Sequence, residues 1–228
     1  AWESLLQDIA LLPMDVEDTP VFITWRLEPS GRFSTKSIYA AIAPSTAPEP
    51  FSLFWDIRLP LKIRIFLWQS IHGRLPSGVE VLKRNGPGDG LCPLCGTMDA
   101  NHIFFSCSTA QFLWACFRET VGGQWCNTNF PDLLAEIHAS SPRYRHIRWL
   151  CIGVLAWTLW TICNKLLIQK VPLRRATDAI FKMCGYLQLW RPLSRPQDWD
   201  IITTLLADLH SMALRVAPLL PPPPPEPD

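Results

Sequence analysis

Charge and glycine are both scarce in this 228-residue chain. Only 18% of residues are charged, and 21 basic side chains nearly cancel 20 acidic ones, for a formal net charge of +1. Such a balance supplies no global attraction to nucleic acid or to a membrane surface. Eleven glycines exclude a collagen-like chain, and the lack of a sustained heptad run excludes a coiled coil. No charged segment near the start leads into a short apolar one, so no signal peptide is read and an intracellular setting, nuclear or cytoplasmic, is expected. The opening Trp2-Glu3-Ser4 reads as the interior of a longer protein. Between Arg148 and Lys165 there are 16 uncharged residues, fewer than the ~20 that cross a bilayer. Thr158, Thr161 and Asn164 weaken that stretch further, so a buried helix is expected there and a membrane partner is not.

What is present is aromatic. Eleven Trp and 11 Phe, in a chain that is 48% apolar, can bury enough area to offset the entropy of ordering. The low charge suggests a sticky protein, or a piece that packs on further protein. Charge is also unevenly distributed. Residues 1–31 carry six acidic side chains against Arg26. Residues 58–84 carry six basic ones against Glu80, and residues 143–195 carry ten against Asp178. Basic blocks of this kind are either solvated helix faces or contacts for an anionic partner.

Periodicity predicts a mainly helical protein. Val21-Phe22-Ile23-Thr24-Trp25-Arg26-Leu27, then Pro29-Ser30-Gly31 and Arg32-Phe33-Ser34-Thr35, predict one small N-terminal β-hairpin. Ser34 or Thr35 can then cap a short helix to Ile42. Pro60 opens a helix that carries Leu61, Ile65, Trp68 and Leu75 on one face, with Ile63, Phe66, Leu67 and Ile71 beside them. Ser77 to Arg84 reads as a short helix stopped by Asn85-Gly86. Phe112, Leu113, Cys116 and Phe117 mark another helix, and Pro131 opens one to about His138. Arg145 to Gln169 is long and apolar. Two amphipathic stripes follow, from Leu173 to Trp190 and, after a possible Asp198 cap, from Ile202 to Val216. Pro221 to Pro225 predict an extended tail, either frayed or a ligand for a proline-binding domain.

The chemistry lies in the cysteines. Cys116, Cys126, Cys151, Cys163 and Cys184 sit singly among apolar residues and read as small core side chains. Cys92, Cys95 and Cys107 cluster, with His102 between the last two, in a C-x2-C-x6-H-x4-C spacing. Two thiolates three residues apart can reach one ion from a single turn, and Gly96 lets the backbone bend past the second. Cys3His is a closed tetrahedral zinc set, so Zn is the expected cofactor and the site is structural. A redox CxxC would follow a strand in a βαβ unit, which is missing here. Gly86-Pro87-Gly88-Asp89-Gly90 precedes a Cys pair and no helix, so it is no phosphate cradle. Ile103, Phe104 and Phe105 are expected to pack on Leu94 and Phe112. No Ser/His/Asp or Cys/His arrangement stands out, so no catalytic residue and no small-molecule substrate are expected.

These residues resemble a known family. Trp25-Arg26-Leu27, Ser30-Gly31-Arg32-Phe33-Ser34, Lys36-Ser37 and Tyr39 are similar to the opening of the reverse-transcriptase zinc-binding domain. So are Phe54-Trp55, the run from Leu59 to Trp68, Gly73-Arg74-Leu75-Pro76, and Cys92 to Gly96 with His102 to Cys107 and Trp114. Trp157, Trp160, Asn164 and Lys165 resemble a segment that often follows, in which Cys163 replaces an Arg. The resemblance implies a module from the C-terminal region of LINE-type non-LTR retrotransposon polyproteins that handles nucleic acid. This chain shows no aromatic-x-Asp-Asp polymerase pair and no RNase H carboxylate cluster. The expected division is a lead-in (1–20), the zinc-binding domain (21–120), a helical extension (121–217) and a Pro-rich tail (218–228). Two functions follow. In the first, Lys62, Arg64, Arg74, Lys83 and Arg84 reach RNA or DNA phosphates while an exposed aromatic stacks on a base. In the second, zinc only staples a structural or interaction remnant, and Trp68 and Trp114 are core.

Overall fold

A computed structural model describes residues 7, 24–42, 57–92, 94–97, 101–122, 125 and 128–219. Residues 220–228 of the Pro-rich tail and residues 21–23 of the expected hairpin lie outside them. The chain divides into two compact units, Ala1–Glu49 and Pro50–Asp228.

In the first unit the hairpin is corrected. No strand occurs among the described residues; residues 24–34 form a closed loop that runs into helix α1, Thr35–Ile42. The Trp25 N–H donates to Gly31 O (2.7 Å) and the Gly31 N–H to Glu28 O (3.0 Å). Gly31 has φ +67°, which an L side chain rarely adopts. The arm that would pair as a second strand is used otherwise. Ser34 Oγ accepts from the Ser37 N–H (3.1 Å) and caps α1, while its hydroxyl donates to the Glu28 carboxylate. Trp25 is held by an edge contact with Phe33 and by its indole N–H on Ser37 Oγ (2.6 Å). Local capping satisfies these polar groups without a β ladder.

The second unit is built around one helix. Its helices among the described residues are α2 (Leu61–Ile71), α3 (Gly78–Lys83), α4 (His102–Phe105), α5 (Ser108–Val121), α6 (Phe130–Ala139), α7 (Pro142–Gln169), α8 (Ala176–Trp190) and α9 (Trp199–Val216), with short 3-10 turns between and after the last two. The long helix α7 packs against α2, α4, α5, α6 and α8, and α9 completes the bundle against α8 and α5. Its burial runs all round rather than along one stripe: Trp149 to Ala156 are all buried, and so are Thr158, Leu159, Trp160, Ile162 and Cys163. That is the pattern of a core helix. Thr158 is satisfied inside the helix, its hydroxyl donating to Val154 O (2.7 Å). Gly153 marks the closest approach: a Cβ there would stand 2.9 Å from a Leu59 methyl.

The stripes of α8 and α9 bury their expected residues, Ile180, Met183 and Leu187 against Ile202, Leu205 and Leu209. Asp198 precedes α9, but its side chain makes no cap hydrogen bond and is buried in a 3-10 turn. The face of α2 differs from the Leu61–Ile65–Trp68 line. Ile63, Phe66, Leu67 and Ser70 are buried, and Leu61, Ile65 and Trp68 face outward. The register follows Phe66, whose ring meets Trp157 at 5.0 Å, Trp160 at 6.0 Å and Phe104 at 6.1 Å.

Candidate metal centre

The zinc site is assembled from a turn, a short helix and a helix entrance. Between Cys92 and Thr97 the backbone closes on itself: the Gly96 N–H donates to Cys92 O (2.8 Å), and the Cys92 N–H donates to Thr97 O (3.0 Å). Gly96 has φ +71°, so the expected backbone bend past the second cysteine is present. The next two donors come from a second reversal. His102 opens α4, and Cys107 sits at the entrance of α5 with its N–H on His102 O (2.7 Å). Ligand atoms of Cys92, Cys95, His102 and Cys107 all lie within 4.8 Å of one another. Donors around a tetrahedral zinc stand about 3.5–3.8 Å apart, so closure needs side-chain movements of about an ångström or less. Three sulfurs and one imidazole are a fitting donor set for that ion. Cys95 is exposed and the other three donors are buried, so the site faces solvent on one side.

Electrostatics divide the thiols. Burial pushes the Cys92 thiol up to about 11. The Thr97 hydroxyl beside Cys95 (3.5 Å) lowers the Cys95 thiol below its ordinary range. Zinc binding therefore displaces a proton that the protein itself holds firmly on Cys92. When bound, zinc supplies a closed four-ligand cross-link with no open position for a substrate or an activated water.

Apolar anchors fix the donors. Ile103, Phe104 and Phe105, between the last two donors, are all buried. Their partners differ from the expected Leu94, which is exposed. Phe104 and Phe105 meet Phe130 at 5.2 and 4.9 Å, Phe105 stacks on Trp114, and the Trp114 indole N–H donates to Phe104 O (2.7 Å). Trp114 is thus core, whereas Trp68 is 36% exposed and packs on His72. Sequence reasoning missed one neighbour. Cys163 of α7 lines a small cleft with Cys92, His102 and Ile103, and burial followed by the nearby Cys92 raises its thiol to about 12. Nothing local in the sequence links Cys163 to the site, because only helix packing brings it there.

The five cationic candidates separate into two groups. Arg74, Lys83 and Arg84 are exposed and gather around the Glu80 carboxylate, which Lys83 binds at 2.7 Å; that bond, more than the neighbouring arginines, holds Glu80 below its usual range. Helix α3, which carries Glu80 and Lys83, abuts the loop that leads into the zinc knuckle (Cys92 to Cys107): a Cβ on Gly78 would stand 3.2 Å from Gly90 O. Lys62 and Arg64 lie on α2 instead. The Lys62 ammonium stands 5.5 Å from the Trp157 ring, and Arg64 is half-buried.

The family described as zinc-binding in reverse transcriptase matches residues 33–114, all four donors included. Residues 33–114 are a reverse-transcriptase zinc-binding domain. Zinc is the cofactor of this domain, through the Cys3His cluster. A protein of Arabidopsis thaliana, named as a candidate ribonuclease H protein, is 23% identical over 99 residues. The match covers 40% of this chain and 16% of that relative. No solved structure matches the chain. The zinc-binding domain reaches only to the first half of α5. The core that supports it extends to α7, beyond the matched residues.

Proposed function

We propose that the chain is a zinc-stapled nucleic-acid-binding module of retroelement origin, without catalytic residues of its own. The observation that carries this reading is the position of α3 against the zinc knuckle. Lys83 and Arg84 at the C-terminal end of α3, and Arg74 ahead of it, are exposed around the Glu80 carboxylate, beside the loop that leads into the zinc donors. Three cations held by a stapled surface can contact successive phosphates with little loss of side-chain freedom. Trp68, outward on α2, is an exposed aromatic that can stack on a base. The name of the Arabidopsis relative fits an origin in a retroelement polyprotein.

Retention of the full chain on single-stranded RNA or DNA tests this. Bound fraction should fall with salt, and Lys83→Gln with Arg84→Gln should weaken binding and reduce the salt slope by about 2. No retention at about 50 mM salt would sink the proposal.

A second reading, a structural or interaction remnant, is favoured by the internal use of some cations. Lys83 pairs with Glu80, and Lys62 rests over Trp157. In both readings α7 is a core helix. It is long and apolar enough to cross a membrane by composition, but 61% of its most apolar stretch is buried against protein. We therefore propose no membrane partner for it. Retention in the membrane pellet after carbonate extraction would overturn that assignment.

A further inference from the structure

We propose that a cavity at the N-terminal end of α7 is a phosphate-binding pocket. Four guanidinium groups from three separate segments line it: Arg58 ahead of α2, Arg143 and Arg145 in the first turn of α7, and Arg195 between the two 3-10 turns that precede α9. Among the described residues no carboxylate lies within salt-bridge distance of any of the four. The ion pairs among the described residues of this unit, Lys83–Glu80, Arg148–Glu136 and Arg215–Glu119, are elsewhere. Like charges gathered on a concave surface repel one another and focus a positive field into the cavity, which an entering anion relieves.

The pocket is organised before any ligand arrives. One Arg145 nitrogen, Nη2, donates to His138 O (2.9 Å) and Ser140 O (3.2 Å), which fixes its side chain across the end of α6. Arg195 Nη2 stands 2.8 Å from His146 Nε2. A guanidinium can only donate, so Nε2 accepts and the imidazole is neutral, with its proton on Nδ1. Burial, then Arg195, holds His146 below its ordinary value, in keeping with that assignment; the buried Asp198 is the acidic group that acts in the opposite direction. The positive end of the 28-residue α7 adds to the field.

Size and walls narrow the ligand. The cavity measures about 540 Å³, within the range of small-molecule sites and larger than a lone tetrahedral ion requires. Ile57 and the buried Trp149 give it apolar walls. Planar guanidinium forks match phosphate oxygens in pairs, and the space beyond them accepts an attached sugar. The phosphate can belong to a nucleic-acid strand, in which case the inference rests on the binding function proposed above, or to a free nucleotide.

The test uses the full zinc-loaded chain. Anisotropy of a fluorescein-labelled single-stranded RNA and DNA 20-mer is measured against salt, and binding of AMP and pyrophosphate is measured by calorimetry. Arg58 and Arg143 are exposed, so Arg58→Gln with Arg143→Gln should preserve the fold, which the melting temperature checks; Arg195→Gln is a second variant. For a strand phosphate, the double variant should bind about tenfold more weakly and lose about 1–2 from the salt slope. If no form binds a strand but AMP or pyrophosphate binds and the double variant loses it, the pocket stands with a free nucleotide as ligand, and the nucleic-acid reading fails. If both variants bind strand and phosphates as the wild type does, while Lys83→Gln with Arg84→Gln weakens the strand, the pocket is refuted and the nucleic-acid reading survives. Absence of binding to every phosphate probe refutes both.

Discussion

The knuckle and the helical bundle beside it hold their shapes by different means. From Leu91 to Thr97 the described residues other than Cys92 are exposed, and two backbone hydrogen bonds close the turn. In α7, α8 and α9 a continuous apolar core lies between the helices, with Leu155, Ile180, Met183, Leu187 and Leu209 nearly inaccessible. Burial stabilises the bundle at roughly 25 cal/mol per Å² of apolar surface. The knuckle has too little such surface, so a metal supplies what packing does not. The two regions meet at α4, where a zinc ligand and three buried apolar residues occupy one helical turn.

The comparison breaks most sharply on removing the metal. Structural zinc contributes on the order of 10 kcal/mol of apparent binding energy in small sites. Cys95→Ser should therefore lose most of the zinc and deprotect backbone amides from Cys92 to Cys107 in hydrogen exchange. The amides of α7, α8 and α9 should keep their protection. Loss of protection throughout would show that the regions are one cooperative unit.

Truncating Phe104 should affect both regions, since its ring joins Phe66 of α2 to Phe130 of α6. Phe104→Ala should cost about 3–5 kcal/mol of stability and also weaken zinc affinity. Ile180→Ala, wholly within the bundle, should cost about 2–5 kcal/mol and leave zinc stoichiometry unchanged. Denaturant melts with parallel metal analysis separate the two patterns.

Acid should act on each region differently. In the knuckle, protons compete with zinc for the donor atoms, so acid releases the metal. In the bundle, burial keeps His138 and His146 below their ordinary values, so the unfolded chain binds protons that the fold excludes. Their contribution to stability is present above about pH 6.5 and is lost as pH falls through the folded values. Melting of the Cys95→Ser variant against pH isolates this effect, and His146→Asn should flatten the curve.

The smallest expected effect concerns Cys163. It borders the site without completing the Cys3His set, so Cys163→Ser should retain one zinc. A loss of metal comparable to that of Cys95→Ser would make it a ligand.

The same division explains what could be read from the sequence. Ligand spacing is local, so Cys92, Cys95, His102 and Cys107 stood out, as did the buried stripes of α8 and α9. The Ser34 cap of α1 was legible, but the hairpin failed because residues 24–31 close on themselves, the Trp25 N–H on Gly31 O and the Gly31 N–H on Glu28 O, and form no ladder. The outward face of α2 was hidden because apolar residues occupy both sides of the helix, and only the rings around Phe66 decide between them. The arginine pocket was invisible for the same reason: its members are far apart in the chain and converge only through helix packing.

The central claim is that one zinc, held by three sulfurs and one nitrogen, organises the knuckle. Zinc-edge X-ray absorption on protein purified without added metal tests it most directly. About one equivalent of zinc should appear, with three sulfurs near 2.3 Å and one nitrogen near 2.0–2.1 Å, and Cys107→Ser should lose a sulfur from that shell. Protein that stays zinc-free after refolding with zinc, or a shell unchanged by Cys107→Ser, would contradict it.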